Sequence, residues 1–285
     1  MYRKVKLVLG DGSELEFDSL TSVSLYLKVD SRRVGEWIRG KLCRLTKPLS
    51  AKYKISYIDS YDKAYFDVWS PKMAYFLGLL YADGNIRKTK IEGKKGYRCY
   101  LSIGLIDRDI IEFLKKELKA THKICSSFDD KERKTVYSLT IGGDDIYNQF
   151  KRLGFDDNKT LKDCSIKVNP EFEDYFWAGY IDGDGCVTYD KSSRGVYTRI
   201  HIDFCEKNQI MISRFERWLV SKGISIHKRS IFREDLGATV NIVEFRVQSK
   251  IDLDKLLEST YFKSELHINR KYNKLLNLIR NDSRY

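Results

Sequence analysis

An α+β fold of two equivalent halves behind a small separate module is predicted by three observations on this 285-residue chain. The stretch Phe76-Leu-Gly-Leu-Leu-Tyr-Ala-Asp-Gly84 aligns without gaps with Trp177-Ala-Gly-Tyr-Ile-Asp-Gly-Asp-Gly185, so Asp83 and Asp184 stand 101 positions apart. Each copy is followed by period-two alternation, then by helical periodicity, a further strand pair and a closing helical segment. The length is about twice the ~150-residue prior for one domain, which leaves room for both halves and the module.

In the module, Val5-Lys-Leu-Val-Leu9, a Gly-Asp-Gly turn and Glu14-Leu-Glu-Phe17 read as a β-hairpin. Ser19 then opens a helical pattern carrying Val23, Leu25 and Leu27. After a break at Lys28-Val-Asp30, Ser31 is expected to cap a second helix with Val34, Trp37 and Ile38 inside. Two short helices across a tight break form a helix-turn-helix pattern, and Arg32, Arg33 and Arg39 fall on the outer face of the second. Residues 47 to 67 read as a strand and linker, giving domains at 1–67, 68–168 and 169–285.

Each repeat reads as a helix ending at Asp-Gly. Pro71 and Pro170 stand just upstream, where proline is tolerated at a helix start, and Ser70 is a plausible cap. Gly84 and Gly185 are expected to stop the helices. Behind the first helix Cys99, Leu101 and Ile103 alternate with Arg98, Tyr100 and Ser102. Behind the second, Ile200, Ile202 and Phe204 alternate with Arg199, His201 and Asp203, and later Val243, Phe245 and Val247 with Glu244, Arg246 and Gln248. One face of each sheet should pack and the other stay polar.

Composition narrows the class. With 42% hydrophobic residues and only 3 prolines, the chain can build cores and is not a disordered one. The longest apolar run, Met73 to Ala82, is far short of the ~20 residues that span a bilayer, and no apolar leader precedes the first turn, so a soluble, intracellular protein (cytoplasm or nucleoid) is expected, with no membrane partner. Fifty-two Lys and Arg against 40 Asp and Glu give +12, a field that draws in a polyanion, and makes nucleic acid rather than a small molecule the expected partner. Six cysteines scattered singly read as reduced, mostly packed thiols.

Small residues recur on one face of each motif helix, Ala74, Gly78 and Ala82 in the first and Gly179 and Gly183 in the second. Glycine inside a helix costs about 1 kcal/mol against alanine, so glycines sharing a face imply that two backbones approach closely. Packing the helices on each other would bring Asp83 beside Asp184, two like charges at the negative ends of two helix dipoles. A divalent cation resolves that conflict. Oxygen donors without a histidine cluster point to Mg²⁺, with Mn²⁺ as substitute, and to metal-assisted phosphodiester hydrolysis.

The two nine-residue stretches resemble the LAGLIDADG signature, and the chain from about Ser70 onward is similar to a monomeric, two-repeat LAGLIDADG homing endonuclease. The resemblance implies a pseudo-twofold pair of αββαββα halves whose four-stranded sheets form a saddle in the DNA major groove. It also implies double-strand cleavage of a long asymmetric site with 3′ overhangs, as in the homing of a mobile element such as an intron. Asp83 and Asp184 would be the metal ligands, with the carbonyls of Ala82 and Gly183 as further donors. Lys159 and Lys271 match the basic positions near the scissile phosphate, and Asp107 and Glu206 those that orient water. Tyr81 departs from the signature, standing where an acidic residue is usual, and Phe76 and Trp177 replace the leading leucine. The module in front resembles the small DNA-binding repeats found beside such cores.

On that resemblance the polar strand faces read bases. Candidates are Arg87, Thr89, Arg98, Tyr100 and Ser102 in the first half, and Thr188, Asp190, Tyr197, Arg199, His201, Arg246 and Gln248 in the second. The basic loop containing Lys94 and Lys95 would meet phosphates. Two other readings use the same fold: an RNA maturase that binds its intron, and a DNA-binding regulator that has lost catalysis. Retention of both Asp83 and Asp184 disfavours the regulator.

Overall fold

The computed structural model describes residues 4–92, 97–157, 165–193, 195–235 and 238–282. Two compact units are present, one of residues 1–62 with 119–121, the other of residues 63–118 with 122–285.

In the first unit β1 (Val5–Val8) pairs antiparallel with β2 (Glu14–Phe17) and, on its other edge, with β3 (Lys54–Tyr57), giving the order β2-β1-β3. Helix α1 (Leu20–Leu27) starts at Ser19, whose hydroxyl accepts from the Ser22 N–H, and ends at Lys28 in the left-handed region at φ 53°. Helix α2 (Ser31–Ile38) follows after three residues. Its cap is Asp30, whose carboxylate accepts from the Arg32 N–H, and Ser31 is already helical. The cap thus lies one position before the expected serine, on another of the residue types that favour this place. Val5, Val23 and Val34 form the core with Phe17, Leu20, Leu27, Ile38 and Ile55 against it. A one-turn helix α3 (Lys47–Ser50) precedes β3.

In the second unit α4 (Pro71–Asp83) begins as expected, with Ser70 accepting from the Met73 N–H. It leads into β4 (Gly84–Lys90), β5 (Tyr97–Leu105), α5 (Arg108–Glu117), β6 (Ile124–Asp129), β7 (Lys134–Gly142) and α6 (Asp144–Arg152). The second half repeats this as α7 (Glu173–Asp184), β8 (Gly185–Ser192), β9 (Gly195–Cys205), α8 (Gln209–Ser221), β10 (His227–Asp235), β11 (Ala238–Val247) and α9 (Lys250–Ser259), and adds α10 (Asn269–Arg280). The sheets are antiparallel, β4-β5-β7-β6 and β8-β9-β11-β10, the same order twice. Leu101, Ile103, Leu139 and Ile141 are buried on the inner face of the first sheet, and Ile200, Ile202, Phe204 and Phe245 on that of the second. Trp177, Phe204, Phe215 and Trp218 pack there ring against ring.

Three expectations are corrected. Pro170 opens a 3-10 turn, Pro170–Phe172, and the second motif helix starts only at Glu173. Gly84 and Gly185 do end the helices, but in extended backbone at φ −78° and −74° rather than a left-handed turn. Each enters its strand at once, and a Cβ there would lie 2.4 Å from the Leu80 carbonyl oxygen or 2.2 Å from that of Ile181, so room rather than torsion demands glycine. Among the described residues the thiols are less packed than expected, with Cys43 and Cys205 only half-buried. Cys99 is buried, Cys125 and Cys186 are exposed because they sit on polar strand faces, and Cys164 lies outside the described residues.

Candidate functional site

The site is set by how closely α4 and α7 pack. A Cβ on Gly78 would stand 1.9 Å from the Phe176 carbonyl oxygen, and one on Gly179 1.9 Å from that of Tyr75. The two glycines thus make reciprocal room, each for the other helix's backbone. Toward the C-terminal ends a Cβ on Gly183 would meet the Ala82 Cβ at 2.2 Å and Asp83 Oδ2 at 3.0 Å. The Asp83 carboxylate therefore lies on the Gly183 backbone, one residue from Asp184. Both acidic side chains are exposed.

Beside them is a cavity of about 210 Å³ lined by Asp83, Asp107, Asp182, Gly183, Arg270 and Lys271, among others. Lys271 Nζ donates to the carbonyls of Asp182, Gly183 (2.7 Å) and Gly185 (2.8 Å). Three bonds use all three ammonium protons, at the end of α7 where carbonyls lack helical partners and the dipole is negative. Burial pushes the Lys271 ammonium below its usual range, against the pull of Asp182, Asp83 and Asp184. Both motif carboxylates are therefore in electrostatic reach of one ammonium.

Asp107, N-terminal to α5, presents both carboxylate oxygens to Arg270, at 3.1 Å from Nε and 2.9 Å from Nη2. Asn269 Nδ2 donates to Asp109 at 2.7 Å, so the start of α10 in the second half grips the start of α5 in the first. Glu206 does not line this cavity. It is half-buried and accepts from Asn241 Nδ2 at 2.7 Å. Lys159 lies outside the described residues, as do Lys94 and Lys95.

Asp182, a motif residue with no role expected from the sequence, is a buried hub. Its carboxylate accepts from the Tyr75 hydroxyl at 2.6 Å, the Tyr261 hydroxyl at 2.8 Å and the Ile268 N–H at 2.7 Å. Burial pushes this carboxyl above its usual range while the three donors work against the rise. The equivalent position in the first motif is Tyr81, whose hydroxyl is bonded by Asn208 Nδ2. The departure from the signature at Tyr81 was the available signal that the two halves are held differently.

The strand registers put the base-reading candidates on common faces. Arg87 pairs with Tyr100 and Thr89 with Arg98, with Ser102 next on the same side. In the second sheet Thr188 pairs with Arg199, Asp190 with Tyr197 and Arg246 with His201, and Gln248, just past β11, lines one cleft with Asp190, Tyr197 and Arg199. Arg32, Arg33 and Arg39 are exposed on and just after α2. Arg32 pairs with Glu36 at 3.4 Å. Sequence reasoning missed Arg229 and Glu244 on the second face. Glu244 accepts from Arg229 Nε at 2.7 Å and Nη2 at 3.2 Å and from Arg246 Nε at 2.6 Å, and His201 Nδ1 lies 3.3 Å away. These cations hold the Glu244 carboxyl at about 2 although burial opposes them.

No protein-family model matches the sequence. An uncharacterised protein of Methanocaldococcus jannaschii is 22% identical over 140 residues, 48% of this chain and 47% of that protein, so the chain spans about half the length of the curated relative it matches. Among solved structures, the LAGLIDADG homing endonuclease I-GzeII in complex with its DNA target superposes with a TM-score of 0.52 at 13% identity, covering 75% of this chain and 89% of that one. The I-LtrWI LAGLIDADG homing endonuclease bound to target DNA gives 0.48 at 16% identity over 74% and 88%. With the duplicated motif, the glycine-packed helices and the repeated sheet order, the first superposition shows that about three quarters of this chain carries the two-repeat LAGLIDADG fold.

Proposed function

We propose that the protein is a metal-dependent endonuclease that cuts both strands of a long, asymmetric double-stranded DNA site, leaving 3′ overhangs, and acts as a monomer. One observation carries the reading: Asp83 is seated on the backbone of Gly183, so the acidic ends of two duplicated helices meet beside a cavity that Asp83 lines together with Arg270 and Lys271. The solved neighbour I-GzeII is a LAGLIDADG homing endonuclease in complex with its DNA target.

The donor set suits Mg²⁺ or Mn²⁺. Two exposed carboxylates sit at the negative ends of two dipoles, an arrangement unfavourable without a cation and suited to one that keeps water and phosphate oxygens as its other ligands. When bound, such an ion lowers the pKa of a coordinated water and offsets charge developing on the phosphate. Asp83 and Asp184 would hold it, with the Ala82 carbonyl as a further donor; the Gly183 carbonyl is shared with Lys271. Lys271, its protons committed to the α7 carbonyls, acts on a phosphate by its charge and fixes the helix end that presents Asp184. Arg270 and Asp107 lock the two halves beside the cavity. The polar faces of both sheets read bases, and Arg32, Arg33 and Arg39 of the first unit add phosphate contacts.

Incubating the purified chain with plasmid carrying the DNA that flanks its gene, with and without Mg²⁺, tests the reading. Linear product only with the metal is expected. Metal-independent binding without any cut would instead identify a regulator, and retention of intron RNA alone a maturase.

A further inference from the structure

We infer that Glu244 is a positioning residue for base reading, holding Arg229 and Arg246 as two preset guanine readers on the second sheet. The inference rests on the DNA-reading role proposed above and adds two residues to it. Arg229 on β10 lies directly across from Glu244 on β11, and Arg246 is two positions further along β11 on the same face. Arg229 uses Nε and Nη2 on the two carboxylate oxygens, and Arg246 uses Nε on one of them.

A guanidinium has five N–H donors in a planar fork. Spending the Nε side on a carboxylate fixes the plane and leaves the Nη1 and Nη2 hydrogens on the opposite edge. That edge matches the O6 and N7 acceptors of guanine in the major groove. Glu244 itself is buried, with a side-chain exposure of 6%, covered by the arginines it holds. It cannot contact a base, so its effect runs through them. Its carboxylate also offsets one of two crowded positive charges, which would otherwise drive the arginines apart. The neighbouring Arg199 also pairs with a carboxylate, that of Asp190.

Residues diagonal across neighbouring strands are about 7–8 Å apart, and the bond to a shared carboxylate draws the two guanidinium groups closer still. Base pairs are stacked about 3.4 Å apart. The two guanines should therefore lie no more than about two base-pair steps apart, on either strand.

The test is selection of bound duplexes from a randomised pool by the full chain and by Glu244→Gln, Arg229→Lys and Arg246→Lys. The natural chain should enrich sites with two closely spaced guanines. Arg229→Lys should relax one of these positions and Arg246→Lys the other. Glu244→Gln should relax both by about tenfold, a factor in the range expected for a good bidentate pair, while affinity for unselected duplex stays equal or rises because a negative charge is lost. An unchanged preference in Glu244→Gln, or guanine positions that neither lysine variant moves, overturns the inference alone. Failure of the natural chain to enrich any sequence overturns the DNA reading and this inference with it. If Glu244→Gln does not fold, the lysine variants still decide, since each removes a fork and keeps the charge.

Discussion

Tyr75 on one motif helix donates a 2.6 Å hydrogen bond to Asp182 on the other, and the mate of this pair under the repeat is Phe176 against Tyr81, a ring contact without a hydroxyl to donate. Tyrosine opposite aspartate in one place and phenylalanine opposite tyrosine in the other are matched choices, each leaving its partner satisfied. A buried carboxylate needs its donors, since removing one leaves charge uncompensated in a dry site. Tyr75→Phe should therefore destabilise the second unit by about 1.5–3 kcal/mol, the worth of a hydrogen bond to a charged group. Phe176→Ala would test packing only; the expected outcome for Tyr75→Phe is read by urea denaturation followed through Trp177 and Trp218 fluorescence.

Gly183→Ala separates placement from folding. Its methyl would press on the Ala82 Cβ at 2.2 Å and on the Asp83 carboxylate at 3.0 Å, at the half-buried C-terminal end of the helices rather than mid-packing. Metal-dependent cleavage should fall about 100-fold, the order of loss expected from a displacement near 1 Å at a reacting centre. Far-UV circular dichroism should be unchanged. Gly179→Ala, whose methyl meets a backbone oxygen at 1.9 Å, should instead cost the fold several kcal/mol, beyond the ~1–3 kcal/mol usual for overpacking.

The bidentate pair of Arg270 and Asp107 couples the two halves across 163 residues of sequence. Asp107 is nearly buried and Arg270 half-exposed, so solvent screens the pair in part. A double-mutant cycle with Arg270→Gln and Asp107→Asn should give a coupling of about 1 kcal/mol, above the median for exposed pairs. Zero coupling would mean that the grip is incidental.

Acid should unfold the second sheet through Glu244. Its folded carboxyl is held at about 2 against a usual 4.5, so the stability it contributes is full above about pH 4.5 and is lost as the pH falls toward 2. A shift of that size is worth roughly 3 kcal/mol. Glu244→Gln should flatten the fall in urea-unfolding free energy between pH 4.5 and 2; an equally steep fall in the variant would place the acid-labile group elsewhere.

Much of this arrangement was legible because local rules and the repeat agree. The duplicated motif located both carboxylates, the glycine spacing located the helix contact, and alternation along β5 and β9 separated packed from polar faces. What escaped depends on pairing between distant segments. Arg270 and Asp107 carry no mutual signal in sequence. Glu244 alternates as an outward residue should, and only the register with Arg229 on β10 shows why it is buried by its own partners. Asp182 lies within the motif itself, but its burial follows from Tyr261 and Ile268, some 80 residues further on. The Gly84 and Gly185 ends were placed correctly for a reason that differs from the usual one, since crowding by the preceding turn, not a left-handed torsion, requires them.

The most direct measurement is cleavage by Asp83→Asn and Asp184→Asn on a duplex the natural chain cuts, with binding measured in parallel on the same duplex. Each substitution should abolish double-strand cutting in Mg²⁺ while the dissociation constant changes by less than about tenfold, because each removes a ligand charge and leaves the reading faces intact. Undiminished cutting by either variant would contradict this.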